Sequence, residues 1–307
     1  MKWISAAELA AYAPYKDIVE ALRQGFKEDV QTPLRPVYET SNVTTLLLMP
    51  AWSKAFTGLK TVTVKTDNPN LGHPTVQGAY LLIDNVTGTP VAIMDGTELT
   101  RRRTAAAGAL AADYLARKDS STLLLIGAGA LGRHFAHAHA AVRPIKTVLI
   151  YNRTPLKSQA LADELTADGF EAHSVLDLEK AMGEADIISG ITSSTEAIIK
   201  GAWLKPGTHI DLAGAFKPSM RETDAKAVGL SRVYVDTRHG AEVEAGDLIQ
   251  ARSEGQFEFD RIQADLFELC GGTKLGRKTD AEITLFKSCG TALEDLATAV
   301  MVHLHST

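Results

Sequence analysis

The residues with the clearest chemical content lie near the middle of the 307-residue chain. Gly127-Ala128-Gly129-Ala130-Leu131-Gly132 follows the apolar run Leu123-Leu124-Leu125-Ile126 and opens a helical pattern, Ala130 to Val142. A G-x-G-x-x-G hexapeptide is common alone, but between a strand and a helix it is the turn that cradles a dinucleotide pyrophosphate. Gly127 permits the tight turn, Gly129 lets the backbone approach the phosphates, and Gly132 lets the helix lie close to the sheet. The helix N-terminus adds free N–H groups and the positive end of its dipole. The next strand bears on which dinucleotide is held. An NAD enzyme usually ends that strand with a carboxylate for the ribose 2′-hydroxyl. Here Ile150-Tyr151-Asn152-Arg153-Thr154 has none. Asn152 does not repel a 2′-phosphate, and Arg153 can pair with one. NADPH is the expected cofactor, with NADH as one it could also accept.

Three cations outside this region are candidates for an anionic substrate: Arg35 in Thr32-Pro33-Leu34-Arg35-Pro36, Lys65 at the end of Val62-Thr63-Val64-Lys65, and Arg103. Any one alone reads as a surface charge. Arg103 stands out because Thr104-Ala105-Ala106-Ala107-Gly108 beside it are small enough for close approach, and a planar guanidinium matches a carboxylate. Arg101 and Arg102 are expected to face solvent or a subunit interface. His134, His137 and His139 resemble a metal set in print. The third is off the face of the first two and no acid is near in sequence, so packing or surface roles are expected and no metal is.

The elements that must position these groups come in two textures. Asp17 opens a helix with Ile18, Leu22 and Phe26 on one face. Strand-like runs follow at Thr44 to Met49, Leu59 to Lys65, Ala79 to Ile83 and Pro90 to Met94, joined by turn residues such as Asp84-Asn85-Val86-Thr87-Gly88. They predict an antiparallel or mixed sheet. The Ala-rich stretch Thr104 to Leu115 reads as a helix. After Ser121, strands and helices alternate strictly, with strands at Thr122 to Ile126, Thr147 to Tyr151, Asp186 to Ile191, His209 to Ala213 and Arg232 to Val235. That alternation predicts a parallel sheet flanked by helices. A final helix carrying Leu293, Leu296, Ala297, Val300, Met301 and Leu304 has no strand after it and is expected to pack back on the first domain, the alternative being that it caps the nucleotide domain. The expected fold is α/β: a Rossmann dinucleotide-binding domain over 113–288, plus a discontinuous α+β domain from 1–112 and 289–307.

Composition sets the outer bounds. The net charge of −5 leaves no concentrated basic face for nucleic acid. Cys270 and Cys289 are too few for a disulfide framework and are expected to be reduced thiols. With no uninterrupted apolar signal core and no spanning stretch, a cytoplasmic protein without membrane contact is expected.

Taken together, Leu48-Met49-Pro50-Ala51-Trp52, Val64-Lys65, Gly72-His73-Pro74-Thr75-Val76, Arg103-Thr104-Ala105-Ala106, the glycine turn, Asn152-Arg153-Thr154 and Ser288-Cys289-Gly290 resemble the ornithine cyclodeaminase/mu-crystallin family over essentially the whole chain. The resemblance implies a Rossmann domain, a dimerisation domain built from both chain ends, a homodimer, and a substrate beside the nicotinamide. It implies that Arg35, Lys65 and Arg103 hold the substrate carboxylate, with Lys65 and Arg103 in catalysis. Thr75 and Ser288 would lie near the nicotinamide end, and Thr192 and Ser193 along the cofactor cleft. One departure selects within the family. Members that cyclise ornithine resemble Gly-Gly-Asp after the strand that here is His209 to Ala213. This chain reads Gly214-Ala215-Phe216, and Phe216 cannot ionise. Ammonia loss is disfavoured. The pattern resembles the ketimine reductases, which reduce Δ1-pyrroline-2-carboxylate to L-proline and Δ1-piperideine-2-carboxylate to L-pipecolate; Phe216 would then pack against the substrate ring, the alternative being a plain core residue. Reduction of C=N needs a positioned hydride donor, a clamped carboxylate and a proton for nitrogen. Lys65 is one candidate proton donor, provided burial and the nearby arginine depress its pKa, and a water or an imine already protonated in solution would serve equally well. The alternatives are an alanine-dehydrogenase-like reductive amination and a non-catalytic mu-crystallin-like binding protein.

Overall fold

Alternating apolar residues separated by short turns build the first sheet of the computed structural model, which describes all 307 residues except the side chain of Pro69. The chain divides into two compact units, residues 1–104 with 291–307, and residues 105–290. The first unit opens with β1 (Lys2–Ile4), α1 (Ala6–Tyr12) and α2 (Tyr15–Gly25), followed by β2 (Val37–Ser41), β3 (Thr44–Trp52), β4 (Phe56–Lys65), β5 (Val76–Asp84) and β6 (Pro90–Asp95). The sheet order is β1-β6-β5-β4-β3-β2, antiparallel except for the parallel β1·β6 pair. The Asp84 turn works as its sequence suggests: Asp84 Oδ1 accepts from the N–H groups of Val86 and Thr87 at 2.9 and 2.8 Å. Strand period puts Gly58, Lys60 and Val62 of β4, with Tyr80 and Leu82 of β5, on the buried face.

The helix α3 (Gly96–Leu115) begins eight residues before the Ala-rich run, because the Asp95 carboxylate accepts the Glu98 N–H at 2.8 Å and caps it. Arg103 therefore lies inside the helix, not at its head. Arg102 is not solvent-facing: it donates to Glu98 and to the Ala13 carbonyl at 2.7 and 3.0 Å. The boundary between the units falls within α3, at 104/105 instead of 112/113, and at 290/291 instead of 288/289.

The second unit contains β7 (Thr122–Ile126), α4 (Gly132–Ala140), β8 (Thr147–Tyr151), α5 (Pro155–Ala167), β9 (Glu171–Ser174), α6 (Leu178–Glu184), β10 (Ile187–Gly190) and β11 (His209–Leu212). It continues with α7 (Ala225–Leu230), β12 (Arg232–Val235), α8 (Arg238–Glu244), α9 (Gly246–Ser253), β13 (Ala264–Asp265), α10 (Leu266–Cys270) and β14 (Thr284–Lys287). Its eight strands are all parallel in the order β13-β12-β14-β11-β10-β7-β8-β9. The direction of winding reverses between β7 and β10, a switch point of the doubly wound fold, where ligands bind outside the strand C-termini. Helices cover both faces, so β7 and β10 are continuous buried runs with no polar alternation.

The last helix, α11 (Ala292–His305), belongs to the first unit and packs on α2 and β4. A Cβ on Gly25 of α2 would sit 2.9 Å from Ala297 Cβ, so the two helices approach closely. Leu304, expected on the apolar stripe, is exposed, while Glu294 and Asp295 are fully buried. No helix among the described residues is long and apolar enough to cross a membrane.

Candidate active site

The glycine turn joins β7 to α4 at the switch point. Gly127 has φ +114°, a backbone that favours glycine, and a Cβ there would lie 3.0 Å from the Ile191 carbonyl. A Cβ on Gly132 would overlap Leu161 of α5. Gly129 differs: nothing lies within 4 Å of the position its Cβ would occupy. Its glycine is therefore not required by packing, and the open space is what a pyrophosphate needs. The residues present fit a dinucleotide. Gly129→Ala is expected to leave the melting temperature within about 2 °C of wild type while weakening dinucleotide binding at least about tenfold, as a methyl group displaces the phosphate approach. Thermal melts beside a fluorescence titration would check it. Ala128 is half-buried, Ala130 exposed and Leu131 half-buried. Asn152 spends its amide locally: Oδ1 accepts from Ala128 N–H at 3.3 Å and Nδ2 donates to the Thr154 carbonyl at 3.0 Å. It braces the turn. Arg153 and Thr154 are exposed.

Two buried carboxylates absent from the sequence expectations hold the neighbouring strand ends. Glu222 Oε1 accepts from Thr192 N–H and Oγ1 at 2.6 and 2.9 Å, and Oε2 accepts from Gly214 N–H at 2.8 Å. Asp236, one residue beyond β12, accepts through Oδ2 from Ser288 Oγ, Cys289 N–H and Gly290 N–H at 3.2, 2.7 and 2.6 Å. Asp236 had a readable signal, an acid at the C-terminal end of a buried parallel strand. Glu222 sits in a loop and had none. Ser193 is exposed and Ser288 buried. Phe216 is 44% exposed, so it is not a core residue.

The histidines find distant acids. His137 Nε2 lies 2.8 Å from Asp168, which Arg133 also grips; the hydrogen bond from Arg133 leads the effects that hold this carboxyl at about 2. His139 is fully buried against Asp211 and Ser189, at 3.0 and 3.1 Å.

In the first unit four buried charges, Lys60, Arg103, Glu294 and Asp295, form one cluster. Arg103 Nε donates to Asp295 at 2.9 Å and Nη1 to Glu294 at 2.5 Å. Lys60 Nζ lies 2.7 Å from the Asp295 carboxylate. Burial pulls the Lys60 ammonium down to about 8, Asp295 opposing it and Arg103 adding to it. Burial also acts to lower Arg103, but Asp295 and Glu294 outweigh it and raise the guanidinium further. Arg103 Nη2 has no bond among the described residues, and Lys60 bonds only Asp295; both retain donors for an anion. Tyr80, paired across the strands with Lys60, is buried, and its hydroxyl has no partner among the described residues. Burial, then the Asp295 charge, push that hydroxyl well above its ordinary value, so it stays a neutral donor.

Lys65 is not part of this cluster. Five residues after Lys60 on β4, it has the opposite parity and points to the other face, where its side chain is 33% exposed and bonds Asp67 at 2.5 Å. Lys60 is the lysine that the sequence reading missed; its signal is the charged residue at a core position of an alternating strand. Arg35 and Thr75 are half-buried, away from regular structure, and Thr75 contributes its carbonyl to the Lys65 N–H at 2.8 Å.

An all-parallel doubly wound sheet with a glycine turn at its switch point defines a dinucleotide-binding protein. The chain belongs to the ornithine cyclodeaminase/mu-crystallin family, whose model matches residues 5–306. It is 37% identical to the Δ1-pyrroline-2-carboxylate reductase of Paracoccus denitrificans over 302 residues, 97% of this chain and 95% of that one. Among solved structures it is similar to the Thermococcus litoralis Δ1-pyrroline-2-carboxylate reductase in complex with NADH and L-proline. There the TM-score is 0.95 at 35% identity, over 100% of this chain and 97% of that one. It is also similar to an archaeal alanine dehydrogenase dimer with bound NAD, with TM-score 0.92 at 30% identity, over 99% and 95% of the two chains.

Proposed function

We propose that this protein reduces cyclic imino acids, Δ1-pyrroline-2-carboxylate to L-proline and its six-membered homologue to L-pipecolate. The observation that carries this reading is the buried cluster of Lys60 and Arg103 in the first unit of a chain whose second unit carries a complete dinucleotide turn. When bound, the reduced nicotinamide supplies the hydride that reaches the imine carbon. Arg103, fixed on two edges by Glu294 and Asp295, offers its remaining edge to the substrate carboxylate. Lys60 replaces Lys65 as the candidate proton donor to the imine nitrogen, since its ammonium, lowered to about 8, can release a proton near neutral pH. Phe216 carries no ionisable group, which keeps cyclodeamination disfavoured.

NADPH is the preferred cofactor in this reading. The end of β8 lacks a carboxylate, and exposed Arg153 is free to meet a 2′-phosphate. Because the Thermococcus protein was solved with NADH, the preference is one of degree. Arg153→Ala is expected to cut kcat/KM with NADPH about tenfold and to change NADH little, since one charge-assisted contact is lost. Equal losses with both cofactors would remove Arg153 from the selection.

The protein acts as a cytoplasmic homodimer in this reading. The second face of the first unit's sheet carries the cross-strand row Trp3, Ile93, Leu81, Leu59 and Pro50. Trp3 is 58% exposed, and an apolar sheet face of this kind needs a partner. The primary test is NADPH oxidation with Δ1-pyrroline-2-carboxylate, with pyruvate plus ammonia as the parallel arm. Turnover only in the second arm would replace the reading by an amino-acid dehydrogenase. Turnover in neither, by protein that binds NADPH, would leave a binding protein.

A further inference from the structure

Glu222, Asp247 and Lys287 are buried in the nucleotide-binding unit, and no step of the reduction uses them. Glu222 joins two strand ends. Thr192, which it holds through N–H and hydroxyl, follows β10, and a Cβ on Gly127 would meet Thr192 Cγ2 at 3.1 Å, so Thr192 lies against the dinucleotide turn. Gly214, which it holds through N–H, opens the Gly214-Ala215-Phe216 loop after β11. The carboxylate occupies a slot that glycines leave open: a Cβ on Gly190 would lie 3.1 Å from it, and one on Gly214 would press into it. Its own backbone is pinned, since the N–H groups of Glu222 and Thr223 donate to Asp247 Oδ1 at 2.7 and 2.9 Å. Lys287 Nζ, bonded to the carbonyls of Leu212 and Ser288, stands 3.9 Å from Asp247.

We propose that Glu222 is a positioning residue for the dinucleotide: as a carboxylate it holds the Thr192 and Gly214 backbones in the arrangement that binds the cofactor. This rests on the reading that the turn takes a nicotinamide dinucleotide. The Thr192 and Gly214 N–H groups can only donate, and the Thr192 hydroxyl, which accepts the Ser194 N–H at 3.2 Å, turns its own proton to Oε1, so the ionised form satisfies all three. A proton on Oε2 would set an O–H against the Gly214 N–H and loosen that strand end, and one on Oε1 would force the Thr192 hydroxyl to give up its bond to the carboxylate and turn away. Burial, then the charge of Asp247, push Glu222 up to about 7, while Lys287 and the Thr192 bonds pull the other way; Arg221 acts on Asp247. The hold is therefore half lost at about pH 7, complete only well above it, and lost as pH falls further.

The test uses NADH, whose phosphodiesters do not titrate in this range, followed by nicotinamide fluorescence with the full chain. Wild-type Kd is expected to rise about tenfold from about pH 8.5 to about pH 6, with E222Q about tenfold weaker at the higher pH and flat below it. Thr192→Val, which loses one hydroxyl bond, is expected to bind roughly threefold weaker, and Thr192→Ser to match wild type. A flat wild-type profile, or E222Q within about twofold of wild type at the higher pH, overturns the proposal. Should circular dichroism show E222Q unfolded, the Thr192 pair decides, and equal Kd values for Val and Ser overturn it. Wild-type protein that binds no NADH at any pH rejects the dinucleotide reading, and the positioning role with it.

Discussion

Arg103→Ala is expected to lower kcat/KM for the imino acid at least about a hundredfold and to destabilise the protein by about 3 kcal/mol, because it both unclamps the substrate and breaks a buried ion cluster. The two effects have separate origins. Arg103 is buried within the first unit and bonds Glu294 and Asp295, which are themselves fully buried at the start of α11. Without the guanidinium Asp295 keeps Lys60, and the cluster loses the cation that bridges both acids. Two buried carboxylates then share one ammonium, which is costly in low dielectric. Arg103→Lys should recover much of the stability and little of the activity, since an ammonium restores charge but not the planar two-edged contact. Thermal melts with initial rates over a range of imino-acid concentration separate the terms. An Arg103→Ala enzyme with wild-type KM and kcat would exclude the guanidinium from the site.

Lys60→Met is expected to cost about a hundredfold or more in kcat, whereas Lys65→Met should stay within about twofold, as an exposed ion pair is worth under about 1 kcal/mol. Methionine fills the volume of the buried stem, and Asp295 keeps its bond from Arg103, so this variant should fold. The pH dependence carries a second signature. If Lys60 delivers the proton, wild-type kcat falls above about pH 8, and the limb vanishes in Lys60→Met. Stability moves the other way. The folded value lies below the unfolded value of 10.5, so between about 8 and 10.5 the unfolded chain binds more protons and this group's contribution to stability rises. It is fully present above 10.5 and lost as pH falls through 8. Urea midpoints of wild type minus Lys60→Met, measured on both sides of pH 8, should show that rise. A wild-type rate with no alkaline limb would assign the proton to water or to a preformed iminium.

Much of this protein was legible before any coordinate. The bounds Thr122–Ile126, Thr147–Tyr151 and Arg232–Val235 agree residue for residue with β7, β8 and β12, because these strands are short apolar runs bounded by turns. The glycine turn was readable for the same reason: its chemistry is local, set by three glycines between one strand and one helix. The start of α3 was not, because its cap is the side chain of Asp95, ahead of a stretch whose charges hid the helical pattern. The short strands β9 and β13 and the edge strand β2 also escaped, having too few apolar residues to leave a period.

The candidate site divides along the same line. Local sequence determined the dinucleotide turn, the absence of an acid at the end of β8 and the suspicion attached to Arg103. Only the tertiary structure decided which lysine accompanies that arginine. Lys60 and Lys65 lie on one strand, and strand parity alone sends them to opposite faces. Their difference is set by what covers each face: α11 brings Asp295 to Lys60 across 235 positions of sequence, while Lys65 meets Asp67 two residues away. Glu222 and Asp236 became visible in the same way, since a carboxylate acquires a role only when folding surrounds it with donors and removes the water that would otherwise satisfy them.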